Sequence, residues 1–244
     1  RIFFIGIGGS GMSGLAQISR AQGDLVCGSD RNFDQQRDKE IFTFLQACGI
    51  KLFPQDGTGI GAEIDEVIIS GAIEDNNPDL KRARKFSLPV ITRAKLLARL
   101  FNGAWGIAVA GTSGKSTITA MAAKVMDEAG LDPTVINGAI ISEYKGPGRL
   151  GNVKLGKSHF MLVETDESDG SVVEFYPEIG ILANISKDHK PLPELIKIFS
   201  KFIENIKKDV IVNGECPFSR KLSARIPAER VLTFGFSRES GVRA

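Results

Sequence analysis

The chain has 244 residues, with 31 Lys+Arg against 29 Asp+Glu and a net charge of +2. At 42% hydrophobic and 25% charged residues it has the composition of a folded globular protein, and the near-neutral balance excludes a nucleic-acid reader working through bulk charge. At about 150 residues per domain the length fits one large or two ordinary domains. The longest apolar runs, such as 67–69 and 160–163, fall far below the about 18 residues that a membrane helix needs, so no membrane span or membrane partner is expected. Arg1 leads straight into a strand-like run without a signal-peptide pattern, and Cys27, Cys48 and Cys216 are widely spaced with no CxxC. The expectation is a cytoplasmic protein with reduced, mostly buried thiols.

Short β-branched runs stand at 2–5, 25–27, 67–69, 90–92, 107–110, 135–136, 160–163, 179–182, 210–212 and 231–234. Between them lie helix-like stretches at 11–22, 39–47, 78–85, 94–101, 116–129 and 192–206, several stopped by a glycine. This alternation predicts an α/β fold of mostly parallel sheets covered on both faces. Strand, glycine loop and helix follow one another from Ile2 and again from Ile107, each looking like the opening of its own sheet. The predicted organisation is therefore two parallel-sheet nucleotide-binding domains in series, 1–102 and 103–244, divided at Phe101-Asn102-Gly103. Residues 144–151 (YKGPGRLG) are the most loop-like.

The first loop, Gly6-Ile7-Gly8-Gly9-Ser10-Gly11, fits GxGxxG, and the acid Asp30 closes the next strand. Small residues let backbone approach a diphosphate at a helix N-terminus, where free N–H groups and the dipole favour anions. NAD and a nucleoside-diphosphate sugar both offer a pyrophosphate and a ribose diol, and the loop alone does not choose between them.

The second loop runs Gly111-Thr112-Ser113-Gly114-Lys115-Ser116-Thr117 after a strand. Val109 stands where the general GxxxxGK[ST] pattern wants glycine, so the narrower GTxGK[ST] form fits. Backbone amides there are suited to β- and γ-phosphates, Lys115 to charge on the transferred phosphoryl group, and the Ser116 hydroxyl to Mg²⁺. The strand at 160–163 runs into Glu164-Thr165-Asp166-Glu167-Ser168-Asp169. Glu164, at the strand tip, is the expected Mg²⁺ carboxylate, with Asp166 and Glu167 shaping the turn or capping the next segment of chain. His189 ends another strand-and-loop unit, at the sheet edge where parallel α/β proteins bind ligands.

Three stretches, FFIGIGGSGMSGLA with CGSD, AVAGTSGKSTITAM, and VETDESDGS followed by ANISKDH, resemble the Mur ligase family in this order over nearly the whole chain. Its members are ATP-dependent enzymes that add amino acids or peptides to UDP-N-acetylmuramate in peptidoglycan synthesis. The glycine-rich opening, ISGAIEDNNPDL and ETDESD look most like the branch that adds L-alanine; the branch that attaches a whole tripeptide comes next.

The resemblance implies a Rossmann-like N-terminal domain for UDP-N-acetylmuramate and a P-loop-type central ATPase domain. It assigns Gly8, Gly9, Ser10, Gly11, Met12 and Ser13 to the sugar-nucleotide diphosphate loop, with Asp30 and Ser70 at nearby strand ends. It assigns Lys115 and Ser116 to the ATP loop, Asn137 to a polar position beside the γ-phosphate, Glu164 to Mg²⁺ and His189 to a second metal or phosphate-facing role. ATP and Mg²⁺ are the implied cofactors, and an amino acid or peptide is the second substrate. Departures are Ser113 in place of the branch's usual His, Gly71 in place of a second Ser, and Lys190-Pro191 after His189. The family's third domain has no counterpart before Ala244, so the expectation is a chain that binds nucleotide without ligating. Two rival readings stand beside this one: an oxidoreductase that uses the first loop for NAD(P) and leaves GTSGKST unexplained, and a Mur-like nucleotide-binding protein without catalysis.

Overall fold

The computed structural model describes residues 1–187 and 190–243. The fold is α/β, with parallel sheets, as the alternation of runs predicts. It divides into two compact units: Arg1–Leu97 with Ile140–Leu155, and Ala98–Ala139 with the residues from Gly156 onward.

In chain order the first unit holds β1 (Ile2–Ile5), α1 (Ser10–Ala21), β2 (Val26–Ser29), α2 (Arg31–Asp34), α3 (Lys39–Ala47), β3 (Lys51–Phe53), β4 (Glu66–Ile69), α4 (Pro78–Lys85) and β5 (Val90–Thr92). The order β3-β2-β1-β4-β5 is parallel throughout, and the sequence of strands reverses direction beside β1. That is the switch point at which open α/β sheets bind ligands beyond the strand C-termini. All four residues of β1 are buried, as expected of a central strand covered on both faces. Phe3, Ile5, Cys27, Ile60, Ile64, Val67, Leu80 and Ala83 form one core cluster. Asn77 starts α4 by accepting from the backbone N–H groups of Asp79 (2.9 Å) and Leu80 (3.1 Å), with Pro78 in the first turn, where its missing N–H costs nothing.

Helix α5 (Arg93–Asn102) leads to β6 (Trp105–Ala110), α6 (Lys115–Glu128), β7 (Thr134–Ile136), β8 (Val153–Lys154), β9 (Phe160–Glu164), β10 (Ile179–Leu182), α7 (Leu192–Asn205), β11 (Asp209–Asn213), α8 (Pro217–Ser223), β12 (Val231–Gly235) and β13 (Val242–Arg243). Within the second unit the strand order is β13-β12-β11-β10-β6-β9-β7, with parallel pairings. Strand β6, which carries the second glycine loop, is thus flanked by β9 and β10. Helix α7 buries Leu195, Phe199, Phe202 and Ile203, a single apolar stripe.

The segment Ile140–Leu155 follows β7 in sequence yet packs with the first unit. A Cβ on Gly14 of α1 would lie 2.3 Å from Val153 Cγ2, so only glycine admits that side chain. Asn152 Nδ2 also donates to the Ser10 carbonyl at 3.2 Å. The three cysteines are free, Cys27 and Cys216 being buried, and burial pushes the Cys27 thiol up to about 11. Among the described residues no helix is long and apolar enough to cross a membrane.

Candidate functional site

The first glycine loop is held by the end of β2. The Ser29 carbonyl accepts from Gly6 N (2.8 Å) and Ile7 N (3.0 Å). Asp30 Oδ2 accepts from Gly8 N, and its Oδ1 accepts from Asn32 N, each at 2.8 Å. Both carboxylate oxygens of Asp30 therefore act on backbone, one shaping the loop and one capping α2. A Cβ on Gly8 would lie 2.8 Å from the Phe42 ring, which explains the glycine there.

Gly9 and Ser10 are exposed and Gly8 and Gly11 partly so, at the N-terminus of α1. Met12 and Ser13 are buried on the inner face of that helix, and Ser13 Oγ donates to the Ser10 carbonyl at 3.2 Å. These two support the loop from beneath rather than lining it. Ser70 follows β4, partly buried, and is not among the residues lining the cavity of about 470 Å³ that Gly6, Asp30, Asn32, Ile73, Asn76, Asn77 and others enclose. Two residues that the motif reading passed over also matter. An added Cβ at Gly11 would lie 3.1 Å from Arg93 Nη1, so a guanidinium covers the helix start, and the fully buried Asp79 accepts from Ser29 Oγ and from Gly57 N. Burial pushes the Asp79 carboxyl up from its ordinary range, against the lowering effect of those hydrogen bonds.

The second loop is tied to the end of β10. Thr112 N donates to the Asn184 carbonyl (3.1 Å), Thr112 Oγ1 bonds Asn184 Oδ1 (2.7 Å), and Asn184 Nδ2 donates to Ser113 O (2.8 Å). Ser113 N returns a bond to Asn184 Oδ1 at 3.1 Å. Gly111 (φ 137°) and Gly114 (φ 80°) take backbone conformations that side chains disfavour, and they turn the chain from β6 into α6. Thr117 is exposed on the first turn of that helix.

Lys115 Nζ donates to Gly111 O at 2.8 Å and to Glu167 Oε1 at 3.1 Å, and lies 2.9 Å from Glu167 Oε2. Ser116 Oγ donates to Glu164 Oε1 at 2.9 Å, while Glu164 Oε2 accepts from Gly138 N. The register that pairs Val109 with Glu164 across β6 and β9 brings the acid to the strand next to the loop. Asn137 is buried beside Gly138, its Nδ2 bonded to Ala139 O (3.1 Å) and its Oδ1 without a partner among the described residues.

Gly111, Thr112, Ser113, Gly114, Lys115, Ser116, Glu164 and Asn137 thus fall in one locality of the second unit. His189 lies outside the described residues. The turn-shaping role expected for Glu167 is corrected: it is 5% exposed and pairs with Lys115. Thr165, bonded through N and Oγ1 to Val109 O, folds the chain back and turns Glu167 inward. Asp166 does shape the turn, its Oδ1 accepting from Ser168 N at 2.8 Å. Asn184, part of the ANISKDH stretch but given no role by the sequence reading, is the residue that ties this loop to the end of β10.

Among the described residues no cluster of three or more His, Cys, Asp or Glu could hold a metal. The hydroxyl–carboxylate pair of Ser116 and Glu164 nonetheless fits Mg²⁺, which takes one or two protein oxygens and completes its shell with phosphate and water.

Residues 1–105 match the model described as Mur ligase family, catalytic domain, and residues 109–244 match the Mur ligase middle domain. UDP-N-acetylmuramate–L-alanine ligases from Hyphomonas neptunium and Paracoccus denitrificans are 38% and 39% identical over 98% and 100% of this chain. The chain spans about half the length of these curated relatives, 50% in both cases. The solved UDP-N-acetylmuramate–alanine ligase of Thermotoga maritima has a TM-score of 0.75 at 29% identity, over 96% of this chain and 52% of that one. The Neisseria meningitides UDP-N-acetylmuramate:L-alanyl-gamma-D-glutamyl-meso-diaminopimelate ligase, at 24% identity and TM-score 0.74 over 96% of this chain and 77% of that one, shares the fold. With both of its halves matched in order, the chain belongs to the Mur ligase family.

Proposed function

We propose that this chain carries the sugar-nucleotide and ATP sites of a UDP-N-acetylmuramate–L-alanine ligase acting in the cytoplasm. Residues 1–102 bind UDP-N-acetylmuramate and residues 103–244 bind ATP; nucleic acid and membrane are not partners. The observation that carries this reading is the convergence of Lys115, Ser116 and Glu164 on one phosphate-type loop. A free carboxylate does not acylate an amine at neutral pH. Transfer of the γ-phosphoryl group of ATP to the lactyl carboxylate makes an acyl phosphate, which the amine of the amino acid then attacks.

In this reading Gly111, Thr112 and Ser113, the last two tied through their amides to Asn184, shape the loop so that the amides of Gly114, Lys115 and Ser116 face the phosphates, and Lys115 neutralises the charge that gathers on the phosphoryl group in transit. Ser116 and Glu164 would hold Mg²⁺, and His189 is a further ligand or phosphate contact; the metal supplies charge stabilisation at the phosphates. Thr117 and Asn137 complete the nucleotide site. In the first unit Ser10 and Gly11 offer amides to the sugar-nucleotide diphosphate, Gly8 and Gly9 shape the loop with their own amides on Asp30 and Gly6, Met12 and Ser13 fix it from beneath, and Asp30 and Ser70 stand at nearby strand ends.

Release of ADP by the full-length protein, dependent on both UDP-N-acetylmuramate and L-alanine, tests the assignment. Dependence on a tripeptide instead of alanine moves it to the neighbouring branch, and dependence on neither overturns it.

Two substitutions separate the sites. Asp30→Asn places an amide N–H₂ against a backbone N–H at either Gly8 or Asn32. Titration calorimetry is expected to show UDP-N-acetylmuramate binding about tenfold weaker, in line with about 1.5 kcal/mol for a charged hydrogen bond, with Mg-ATP affinity unchanged. Gly138→Ala sets a Cβ 2.7 Å from Glu164 Oε2 at an exposed position. Its expected result is a roughly tenfold loss of Mg²⁺-dependent ATP affinity with the melting temperature preserved, since a shifted carboxylate weakens the metal ligand set alone.

A further inference from the structure

Glu167 is left over when the ATP site is assembled. It is 5% exposed, and its charge is matched by Lys115. Its Oε2 lies 2.9 Å from Lys115 Nζ and has no further partner among the described residues. Asp166 and Asp169 are exposed and act on the turn: Asp166 Oδ1 accepts from Ser168 N, and Asp169 Oδ1 from Ser171 N, both at 2.8 Å.

Charge balance then changes once phosphate arrives. A phosphoryl group bound at Lys115 takes up the ammonium charge and leaves Glu167 as a buried carboxylate without a counter-charge, a costly state. A second cation entering next to the phosphoryl group relieves it. In the reaction proposed above, the group that must enter there is the amine of the incoming amino acid, which arrives as an ammonium. Its nitrogen has to come within about 3–3.5 Å of an acyl carbon, and that carbon is separated from the phosphorus by a single oxygen. Glu167, in contact with Lys115 Nζ, is at the right remove.

Resting on that reading, we propose that Glu167 receives the ammonium of the incoming amino acid and positions it against the acyl phosphate. The ammonium passes one proton to the Glu167 carboxylate, and the freed nitrogen lone pair forms the C–N bond. The C–O bond to the phosphoryl group breaks, its electron pair leaving on inorganic phosphate, which also takes the second amine proton.

The test uses the full-length protein and the isosteric Glu167→Gln variant, with L-alanine or hydroxylamine as acceptor. Hydroxylamine is uncharged at neutral pH and traps acyl phosphates as hydroxamates without needing an ammonium receptor. The expected result for Glu167→Gln is a KM for L-alanine at least tenfold higher, a KM for ATP no higher than wild type, and hydroxamate formation retained. A fall in hydroxamate formation parallel to the fall with alanine, or a raised KM for ATP, would show that Glu167 serves Lys115 or a metal and overturns the proposal. An unchanged KM for L-alanine overturns it equally. Failure of the wild-type protein to form any hydroxamate with UDP-N-acetylmuramate and ATP overturns the ligase reading itself.

Discussion

Replacing Lys115 with Met is expected to abolish Mg-ATP binding, weakening it more than a hundredfold, and to destabilise the second unit by about 3 kcal/mol, the lower end for truncating one partner of a buried ion pair. Both effects come from one side chain. With side-chain exposures of 15% for Lys115 and 6% for Glu167, the pair is largely shielded from water, so removal of the cation strands a carboxylate in a poorly solvated place. A loss of binding in that single variant has two explanations, a missing phosphate contact or a damaged loop. The double variant Lys115→Met/Glu167→Gln separates them, because it removes both charges and leaves groups of similar volume. It is expected to recover most of the lost stability in chemical denaturation while ATP binding stays absent. Recovery of ATP binding in the double variant would mean that Lys115 acts only on the fold.

Gly28→Ala is the second large effect, expected to cost about 3 kcal/mol, the upper end of ordinary overpacking. Gly28 sits in β2 between Phe4 of β1 and Leu52 of β3. An added Cβ would lie 2.5 Å from the Phe4 carbonyl oxygen and 2.9 Å from Ile7 Cδ1. The carbonyl belongs to a central strand and has no room to retreat, so β2 must shift instead. Such a shift carries Ser29 and Asp30 with it, and these hold Gly6, Ile7 and Gly8. Urea denaturation should show the loss in stability, and calorimetry should show weakened UDP-N-acetylmuramate binding with Mg-ATP binding kept. Gly71→Ala, where no atom lies within 4 Å of an added Cβ, is the matched control with no expected effect on stability.

The strands and long helices were legible because burial on a parallel sheet imposes β-branched runs, and every strand expected from such a run is present. What escaped were pieces too short or too polar to carry a pattern. Lys51–Phe53 opens with an exposed lysine, Val242–Arg243 is exposed, and Pro217–Ser223 is a helix of two turns. Both glycine loops were legible because few residue types turn a strand into a helix with amides facing outward. Glu164 was legible from its place at a strand tip.

Glu167 was not, because four acids in one run have no periodicity that marks the inward one; the distinction is made by Thr165 bonding across to Val109. Asp30 was found, but its occupation by two backbone amides depends on how the loop closes over it. Residues 144–151 read as loop, and only the fit of Val153 against Gly14 reveals that the surrounding segment Ile140–Leu155 packs with the first unit.

The decisive measurement is a crystal structure of the protein with Mg²⁺ and a non-hydrolysable ATP analogue. The expected result is a γ-phosphoryl oxygen at about 2.7–2.9 Å from Lys115 Nζ, the charge-assisted range, with the metal on Ser116 and Glu164. A nucleotide bound with its terminal phosphoryl group out of reach of Lys115 would contradict the assignment of this loop.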